Sequence, residues 1–274
     1  MSTQYQYDFT GSAYYLRAIS LVNLIYICSH IFNFYLKMLK NIKTHPLFWP
    51  TKLFLKRLAK KELWVRTEVD INTTIYGGWE FCPDLIADDS IIYSLGVGND
   101  IEFDVLLIQN FQSLVHAFDP TPYAMEWIDN QILPNNFKFH PWAVSGKNGI
   151  LKMYQRVNRK GQKSRVMWTT VTDQLDDVDT IEVEKYSLQT IMDKLGSKKI
   201  DLVKMDVEGS EYEIIDAILD MKFKPLQLLV EFHHRFSGVG LEKTVNAISN
   251  LREVGYKIFA VSKTGREISF IYKA

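Results

Sequence analysis

The chain has 274 residues, of which 47% are hydrophobic and 23% are charged, so it is neither disordered nor collagen-like. Its length suits one generous domain or two small ones. Lys+Arg and Asp+Glu both number 32, and a net charge of zero gives no bulk electrostatic argument for a nucleic-acid partner. Two cysteines, Cys28 and Cys82, are too few for a disulfide framework, and no Cys/His cluster has metal-ligand spacing. We therefore predict no nucleic-acid partner and no metal ion.

The N-terminal 70 residues differ in composition from the rest. Residues 18–36 hold no Asp, Glu, Lys or Arg, whereas residues 37–66 hold nine Lys/Arg and one acid, Glu62. We expect a helical extension over residues 1–70, with an apolar helix at about 18–36 and a basic segment after it. Three roles for that helix stay open: packing on the main domain or a partner, lying on a membrane surface, or spanning a membrane. We expect a cytoplasmic protein, held at the cytosolic face if the helix associates with a membrane. If the helix spans the membrane, the lysines at 37, 40 and 43 would keep the C-terminal bulk in the cytosol.

From about Ser90 onwards, apolar runs of strand length alternate with helical patterns. Ile91–Leu95 predicts a strand, a glycine-containing turn follows at 96–99, and Asp100 can cap the next helix. Further strands are expected at Leu114–Phe118, Phe137–Val144, Ile200–Met205 and Leu226–Phe232, with helices near Met125–Leu133, Ser210–Met221 and Leu241–Leu251. Ser210 and Glu213 match a capping box at the start of the second of these helices. Tyr256–Val261 and Ile268–Tyr272 predict a closing hairpin.

This alternation predicts an α/β fold over about residues 71–274, with a doubly wound, mostly parallel sheet that helices cover on both faces. Residues 156–180 break the pattern, so we expect an inserted loop or irregular hairpin there. Ligands of such sheets bind outside the carboxyl ends of the strands. Candidate functional residues follow strands as this rule requires: Gly96 and Gly98, Asp119, Asp206 and Glu208, and then His233 and His234.

A Gly-x-Gly turn, Gly96-Val97-Gly98, follows the strand at 91–95. A dinucleotide site would have a third glycine where Ile101 stands, and no GxxxxGK[ST] phosphate loop is present in the sequence. Asp119 lies 21 residues beyond Gly98, at the end of the next predicted strand, where a carboxylate can accept both hydroxyls of a ribose. A nucleoside cofactor without phosphates fits this pattern best, and S-adenosylmethionine is the common one.

Three acids and a lysine crowd the end of the strand at 200–205, in the run Lys204-Met205-Asp206-Val207-Glu208-Gly209-Ser210-Glu211. Like charges this close together are costly unless each has a partner. Capping of the following helix by Ser210 and Glu211 explains part of the run, because free N–H groups at a helix start favour carboxylates. It does not explain Asp206 and Glu208, which are therefore candidates for chemistry.

This run resembles the K-x-D-x-E-G-x-E hallmark of the FkbM-type S-adenosylmethionine-dependent methyltransferases, and it matches that hallmark fully. Further blocks similar to the family are Gly-Val-Gly at 96–98, His-Ala-Phe-Asp-Pro at 116–120, Ala-Val-Ser at 143–145 and Val-Glu-Phe-His at 230–233. The resemblance covers about residues 76–274. The sequence departs from the family pattern at Ser94, where the cofactor loop usually starts with an acid, and at Asp100, where it has a small residue.

The resemblance implies a seven-stranded class I methyltransferase sheet with a reversed last strand, and methyl transfer to an oxygen, often a hydroxyl of a sugar or natural product. It implies S-adenosylmethionine as cofactor, held by Leu95, Gly96, Val97, Gly98, Asn99, Asp119, Pro120, Ala143, Val144 and Asp206. A hydroxyl acceptor profits from a general base. We predict His233 in that role, then Glu208 and Asp206, because histidine titrates near neutrality. Glu231 is a candidate partner for Lys204 in a structural ion pair.

Two other functions stay open. A catalytically silent module would bind the cofactor without turnover, and the departures at Ser94 and Asp100 are the reason to consider it. An NAD(P)-dependent oxidoreductase is disfavoured by Ile101. The expected partner is a small-molecule or glycan acceptor, recognised through residues 156–180, with membrane association, if any, through residues 18–36.

Overall fold

A computed structural model describes residues 48–157, 162–170, 178–236 and 238–273. The apolar helix predicted at about 18–36 lies outside these residues. The chain divides into two units, Met1–Phe54 and Leu55–Ala274, and all of the described strands belong to the second. Among the described helices, none combines the length and the apolar character needed to cross a bilayer.

Within the described residues, the strands in chain order are β1 (Thr74–Tyr76), β2 (Trp79–Phe81), β3 (Ile91–Leu95), β4 (Leu114–Phe118), β5 (Phe137–His140), β6 (Ala143–Val144), β7 (Gly149–Val157), β8 (Lys163–Thr169), β9 (Thr180–Tyr186), β10 (Leu202–Met205), β11 (Gln227–Glu231), β12 (Tyr256–Val261) and β13 (Glu267–Tyr272). The helices are α1 (Trp49–Leu58), α2 (Glu102–Phe111), α3 (Pro122–Asp129), α4 (Leu188–Leu195), α5 (Glu211–Asp220) and α6 (Leu241–Glu253), and a short 3₁₀ turn spans Pro83–Leu85.

Seven strands form the central sheet, in the order β12-β13-β11-β10-β3-β4-β5. Strands β5, β4, β3, β10 and β11 are parallel, whereas β13 runs antiparallel to both β11 and β12. The expected reversed last strand and closing hairpin are therefore confirmed. Strand order reverses between β3 and β10, and in open α/β sheets the crevice at such a reversal is where ligands bind.

The central strands are buried on both faces, as their nearly continuous apolar sequences predict. Side chains alternate along β3, so Tyr93 packs in one hydrophobic cluster and Ile92 in the other. Helix α5 covers the first cluster with Ile215, and α2 covers the second with Leu107. The sheet is thus doubly wound, with a rigid core directly beneath its carboxyl edge.

A second sheet has its strands between residues 143 and 186, and so includes part of the region, 156–180, where an inserted loop or irregular hairpin was predicted. Its order is β6-β9-β7-β8, and β7 pairs antiparallel with both β8 and β9. The strand predicted at Phe137–Val144 is divided between the two sheets, since β5 belongs to the central one and β6 to the second. The strands at 149–157 and 180–186 were missed because they are not continuous apolar runs, and most of their residues are only half-buried or exposed.

Two histidines contact each other on neighbouring strands of the central sheet. His116 Nδ1 on β4 lies 2.9 Å from His140 Nε2 on β5. Burial, together with the positive charges of His140 and Lys138, lowers the pKa of His116 to about 4, and burial also lowers the pKa of His140. Protonation of this pair therefore opposes folding.

We expect the free energy of unfolding to fall as the pH decreases from about 6.5 to about 4. The unfolded chain takes up a proton near pH 6.5, whereas folded His116 does so only near 4, so His116 alone contributes a loss of about 3 kcal/mol. Denaturant unfolding measured across this range gives the slope. The variant His116→Asn should have a clearly shallower slope than the wild type, and equal slopes would contradict the assignment.

Candidate functional site

A cavity of about 300 Å³ lies at the carboxyl ends of β3, β4 and β10, at the strand-order reversal. This volume is at the lower end of the range for small-molecule sites. All ten residues predicted to hold a cofactor line it: Leu95, Gly96, Val97, Gly98, Asn99, Asp119, Pro120, Ala143, Val144 and Asp206. The second sheet closes it with Leu151, Met153, Met167 and Trp168. Sequence reasoning missed these four apolar residues because they belong to unrecognised strands.

The glycine loop, residues 96–99, contacts the backbone of the acidic run, residues 204–211. A Cβ added to Gly96 would lie 1.8 Å from the carbonyl oxygen of Asp206, and the φ angle of Gly96 is +84°. The backbone N–H of Asp206 donates to the Leu95 carbonyl at 2.9 Å. At Gly98, where φ is +55°, an added Cβ would meet nothing within 4 Å. Gly96 is therefore required for chain packing, whereas Gly98 leaves open space in the loop.

Asp119 holds the glycine loop in shape. Its Oδ2 accepts hydrogen bonds from the backbone N–H groups of Val97 at 3.0 Å and Gly98 at 2.9 Å. Its Oδ1 accepts from the N–H of Thr121 at 2.9 Å and from the Thr121 hydroxyl at 2.6 Å. A carboxylate has about four acceptor positions, and the chain itself uses all of them. A ribose hydroxyl therefore reaches this carboxylate only by replacing one of these donors.

A carboxyl group lies close to Ser94, although the usual acid is missing from that position. Asp104 of α2 is buried there, with neither oxygen in a hydrogen bond within the described part of the chain. Burial raises the pKa of Asp104, against the charge of Lys204 and the nearby Ser94 hydroxyl. Asp100, the other departure, accepts a hydrogen bond from the N–H of Glu102 at 2.9 Å, but the N-cap residue of α2 is Ile101 and not Asp100 as predicted.

Lys204 does not pair with Glu231, so that expectation is wrong. Its Nζ donates to the Gly96 carbonyl at 3.2 Å and lies 5.1 Å from the centre of the Trp79 ring. Glu231 instead contacts Arg266, with Oε1 and Nη1 2.8 Å apart. The hydrogen bond from Lys204 thus stabilises the conformation of the glycine loop.

His233 joins Asp206 and Glu208 in one cluster at the carboxyl ends of β10 and β11. Its Nε2 lies 3.7 Å from Asp206 Oδ1 and 3.7 Å from Glu208 Oε2. The side chain of His233 is only 6% exposed, compared with 36% for Asp206 and 23% for Glu208. The two carboxylates line the cavity, while the imidazole lies behind them.

Glu211 fixes the orientation of the His233 ring. Its Oε1 lies 2.7 Å from His233 Nδ1 and also accepts a hydrogen bond from the N–H of Gly209 at 3.1 Å. The predicted capping box is not formed, since Ser210 has helical backbone angles and its hydroxyl makes no cap bond. The carboxylate of Glu211, the first residue of α5, thus forms a hydrogen bond with His233.

Glu208 is tied to the second sheet. It has a φ angle of +52°, which is strained for a residue with a side chain. Arg156 of β7 donates to Glu208 Oε2 at 2.9 Å, and the Thr169 hydroxyl of β8 donates to the Glu208 carbonyl at 2.8 Å. Residues 156–180, which were expected to recognise the acceptor, therefore position Glu208, which was predicted to be catalytic.

The charged groups in this cluster shift one another's pKa values. Burial raises the pKa of Asp206 and of Glu208 against the opposing effect of nearby cations. Burial alone would lower the pKa of His233, but the hydrogen bond to Glu211 and the charges of Glu211, Glu208 and Asp206 raise it to about 9. At neutral pH and without another cation, His233 thus carries positive charge among the acids.

His234 contacts the start of the second unit instead of the cavity. Its Nε2 lies 3.2 Å from Glu62 Oε2, and Arg235 also donates to Glu62. Burial would raise the pKa of Glu62, but the contacts with Arg235 and His234 lower it. This buried carboxylate anchors the loop after β11, and no local sequence pattern pointed to it.

The family model of the methyltransferase FkbM domain matches residues 80–258. No curated protein sequence matches the chain significantly. These residues include the glycine loop, Asp119, the acidic run and His233.

Three solved structures show distant likeness of fold. Methyltransferase FkbM from Methylobacillus flagellatus KT is 13% identical, with a TM-score of 0.42 over 68% of this chain, and this chain spans 44% of that protein's length. The fibrillarin pre-rRNA processing protein of Methanococcus jannaschii is 12% identical, with a TM-score of 0.42 over 77% of this chain and 86% of its own. An rRNA methylase from Streptococcus thermophilus is 11% identical, with a TM-score of 0.37 over 69% of this chain and 91% of its own.

We expect Gly96→Ala and Gly98→Ala to differ sharply in stability. At Gly96 the new Cβ would collide with the Asp206 carbonyl, and with the positive φ this should cost about 3–5 kcal/mol of unfolding free energy. At Gly98 only the positive φ opposes alanine, at about 1–2 kcal/mol. Denaturant unfolding of both variants measures the difference, and comparable losses would contradict the close approach at Gly96.

Proposed function

Because the chain belongs to the FkbM methyltransferase family, we propose that it transfers the methyl group of S-adenosylmethionine to a hydroxyl oxygen of a small-molecule or glycan acceptor. S-adenosylmethionine is the methyl donor of FkbM-type class I methyltransferases. The observation that supports an oxygen acceptor is that the glycine loop and the acids Asp206 and Glu208 line the same cavity.

The residues of the cavity fit a nucleoside cofactor without phosphates. Open space at Gly98 lets a ligand approach the loop backbone. Phe118, Trp142 and Val144 supply an apolar wall beside it, suited to a flat heterocycle. When bound, the cofactor supplies a methyl group already activated on a sulfonium.

The chain's own residues would align the acceptor and take up its proton. Methyl transfer forms a C–O bond and breaks a C–S bond, and the hydroxyl proton must leave. Asp206 and Glu208 line the cavity and are placed to receive that proton, whereas His233 acts from behind them. Met153 and Trp168 of the second sheet supply apolar surface to one side of the site.

Within this proposal, the carboxylates of Glu208 and Asp206 come before His233 as candidate general bases, which reverses the predicted order. A side chain must contact the reacting oxygen, or reach it through one water, to act as its general base. The two carboxylates line the cavity wall, whereas the buried imidazole lies behind them, where its positive charge favours their ionised forms.

We expect the purified full chain to bind S-adenosylhomocysteine, and Asp119→Asn to weaken that binding about 5- to 150-fold. The substitution puts an amide N–H₂ against backbone donors of the loop or of Thr121, which corresponds to about 1–3 kcal/mol. Isothermal titration calorimetry measures both affinities. Asp88→Asn, an exposed acid just before β3 at the opposite edge of the sheet, is the matched control and should bind like the wild type.

The outcomes separate the candidate functions. Failure of the folded wild type to bind would contradict the proposal, and equal affinity in Asp119→Asn would contradict the role of Asp119. Incubation with S-adenosylmethionine and a panel of sugars and other hydroxyl compounds, followed by mass spectrometry, tests turnover. Binding without methylation of any compound would instead favour the catalytically silent module.

A further inference from the structure

Three metal-ligand atoms converge beside the cavity from two separate segments. Asp206 and Glu208 follow β10, His233 follows β11, and one ligand atom from each lies within 4.8 Å of the other two. Because β10 and β11 are adjacent and parallel, their carboxyl ends deliver these side chains to the same place. The prediction of no metal rested on local Cys/His spacing, which cannot detect ligands so far apart in sequence.

The spacing of these atoms suits a shared ion better than direct hydrogen bonds. His233 Nε2 is 3.7 Å from an oxygen of each acid, which is longer than a hydrogen bond. Ligands bound at about 2.0–2.2 Å from one ion lie about 3–4 Å apart. A small contraction of the cluster would place all three around one cation.

The histidine is already oriented as a ligand. Glu211 is fully buried and accepts from His233 Nδ1 at 2.7 Å, so Nδ1 bears the hydrogen and Nε2 points toward Asp206 and Glu208. Histidines that bind metals characteristically donate their other nitrogen to a carboxylate in this way. The Phe236 ring, 4.6 Å from the imidazole centre, packs against it and restricts its rotation.

We propose that Asp206, Glu208 and His233 bind one divalent transition-metal ion, with Glu211 as the supporting carboxylate. Two carboxylate oxygens and one imidazole nitrogen favour Mn²⁺ or Zn²⁺ over Mg²⁺ or Ca²⁺, which prefer oxygen ligands throughout. Three protein ligands leave coordination positions open, as in catalytic metal sites. Since Asp206 and Glu208 line the cavity, the open positions face it.

The surrounding charges are compatible with this ion. Arg156 donates to Glu208 Oε2 at 2.9 Å, but a carboxylate has further acceptor positions and can serve both cations. Of the other nearby acids, Glu231 is held by Arg266 at 2.8 Å, and Glu267 accepts hydrogen bonds from the hydroxyls of Ser262 and Thr264. Lys204 is bonded to the Gly96 carbonyl.

The catalytic use of the ion rests on the proposed function, whereas its binding does not. A divalent ion at this place would bind the acceptor hydroxyl and favour its deprotonation, and the proton would pass to the carboxylate oxygen of Asp206 that does not bind the ion. An acceptor with a second oxygen next to that hydroxyl, such as a vicinal diol, would occupy two open positions. The site thus selects chelating acceptors over isolated alcohols.

Titration of the chelator-treated full chain with MnCl₂ tests the site directly. Isothermal calorimetry should show one ion per chain, and pulsed electron paramagnetic resonance should detect a directly bound imidazole nitrogen. Failure of the wild type to bind one Mn²⁺ or Zn²⁺, or a Mn²⁺ signal without nitrogen coupling, would overturn the proposal without the need for any variant.

Variants then assign the ligands. His233→Ala and Asp206→Asn should weaken Mn²⁺ binding at least about tenfold, and Glu211→Gln about 10- to 100-fold although all three ligands remain. His140→Asn, a histidine outside the cluster, is the control and should retain wild-type affinity. Unchanged affinity in folded His233→Ala would also overturn the assignment.

S-adenosylhomocysteine binding, measured on the same samples, separates the two proposals. Cofactor binding without metal binding would refute the ion alone. Metal binding without cofactor binding would support the ion and contradict the proposed methyltransferase function.

Discussion

The close approach of two backbones, at Gly96 and at Asp206, is the constraint on which the site depends. These residues follow β3 and β10, the pair of strands between which the sheet reverses its order. Because Gly96 has no side chain, the glycine loop can lie directly on the start of the acidic run. The loop that would hold a cofactor and the carboxylates that would face an acceptor are thereby joined to one rigid core.

Negative charge concentrated at the carboxyl ends of β10 and β11 is the second feature that organises this region. Asp206, Glu208, Glu211 and Glu231 lie within a few residues of these ends. The chain supplies partial compensation through His233 and through Arg156 and Arg266, each from a different element. The two carboxylates that line the cavity, Asp206 and Glu208, remain poised to interact with a proton or a cation. Accumulated charge of this kind is costly to folding, which is consistent with a functional origin.

The second sheet forms one wall of the cavity at the carboxyl ends of the central strands. Strands β7 and β8 contribute the apolar residues Met153 and Met167 to the cavity wall and also hold Glu208 through Arg156 and Thr169. The shape of the cavity wall and the placement of an acidic group are thus linked through the same two strands. Variation in this sheet would change both together, while the central sheet and its glycine loop stay the same.

Periodicity and motif order in the sequence were sufficient to predict the doubly wound sheet, the closing hairpin and the part of the cavity wall that the central sheet supplies. Those features depend on local patterns: apolar runs, glycines at sharp turns, and acids directly after strands. Strands β7 and β9 escaped detection because they are not continuous apolar runs: along β9, Ile181 and Val183 alternate with Glu182 and Glu184, the pattern of a half-buried strand. Tertiary structure alone decided that Asp119 holds a loop, that Lys204 supports Gly96, and that His233 meets Asp206 and Glu208. The physical reason is that each of these contacts joins segments distant in sequence, and pairing between strands, not the spacing along the chain, brings them together.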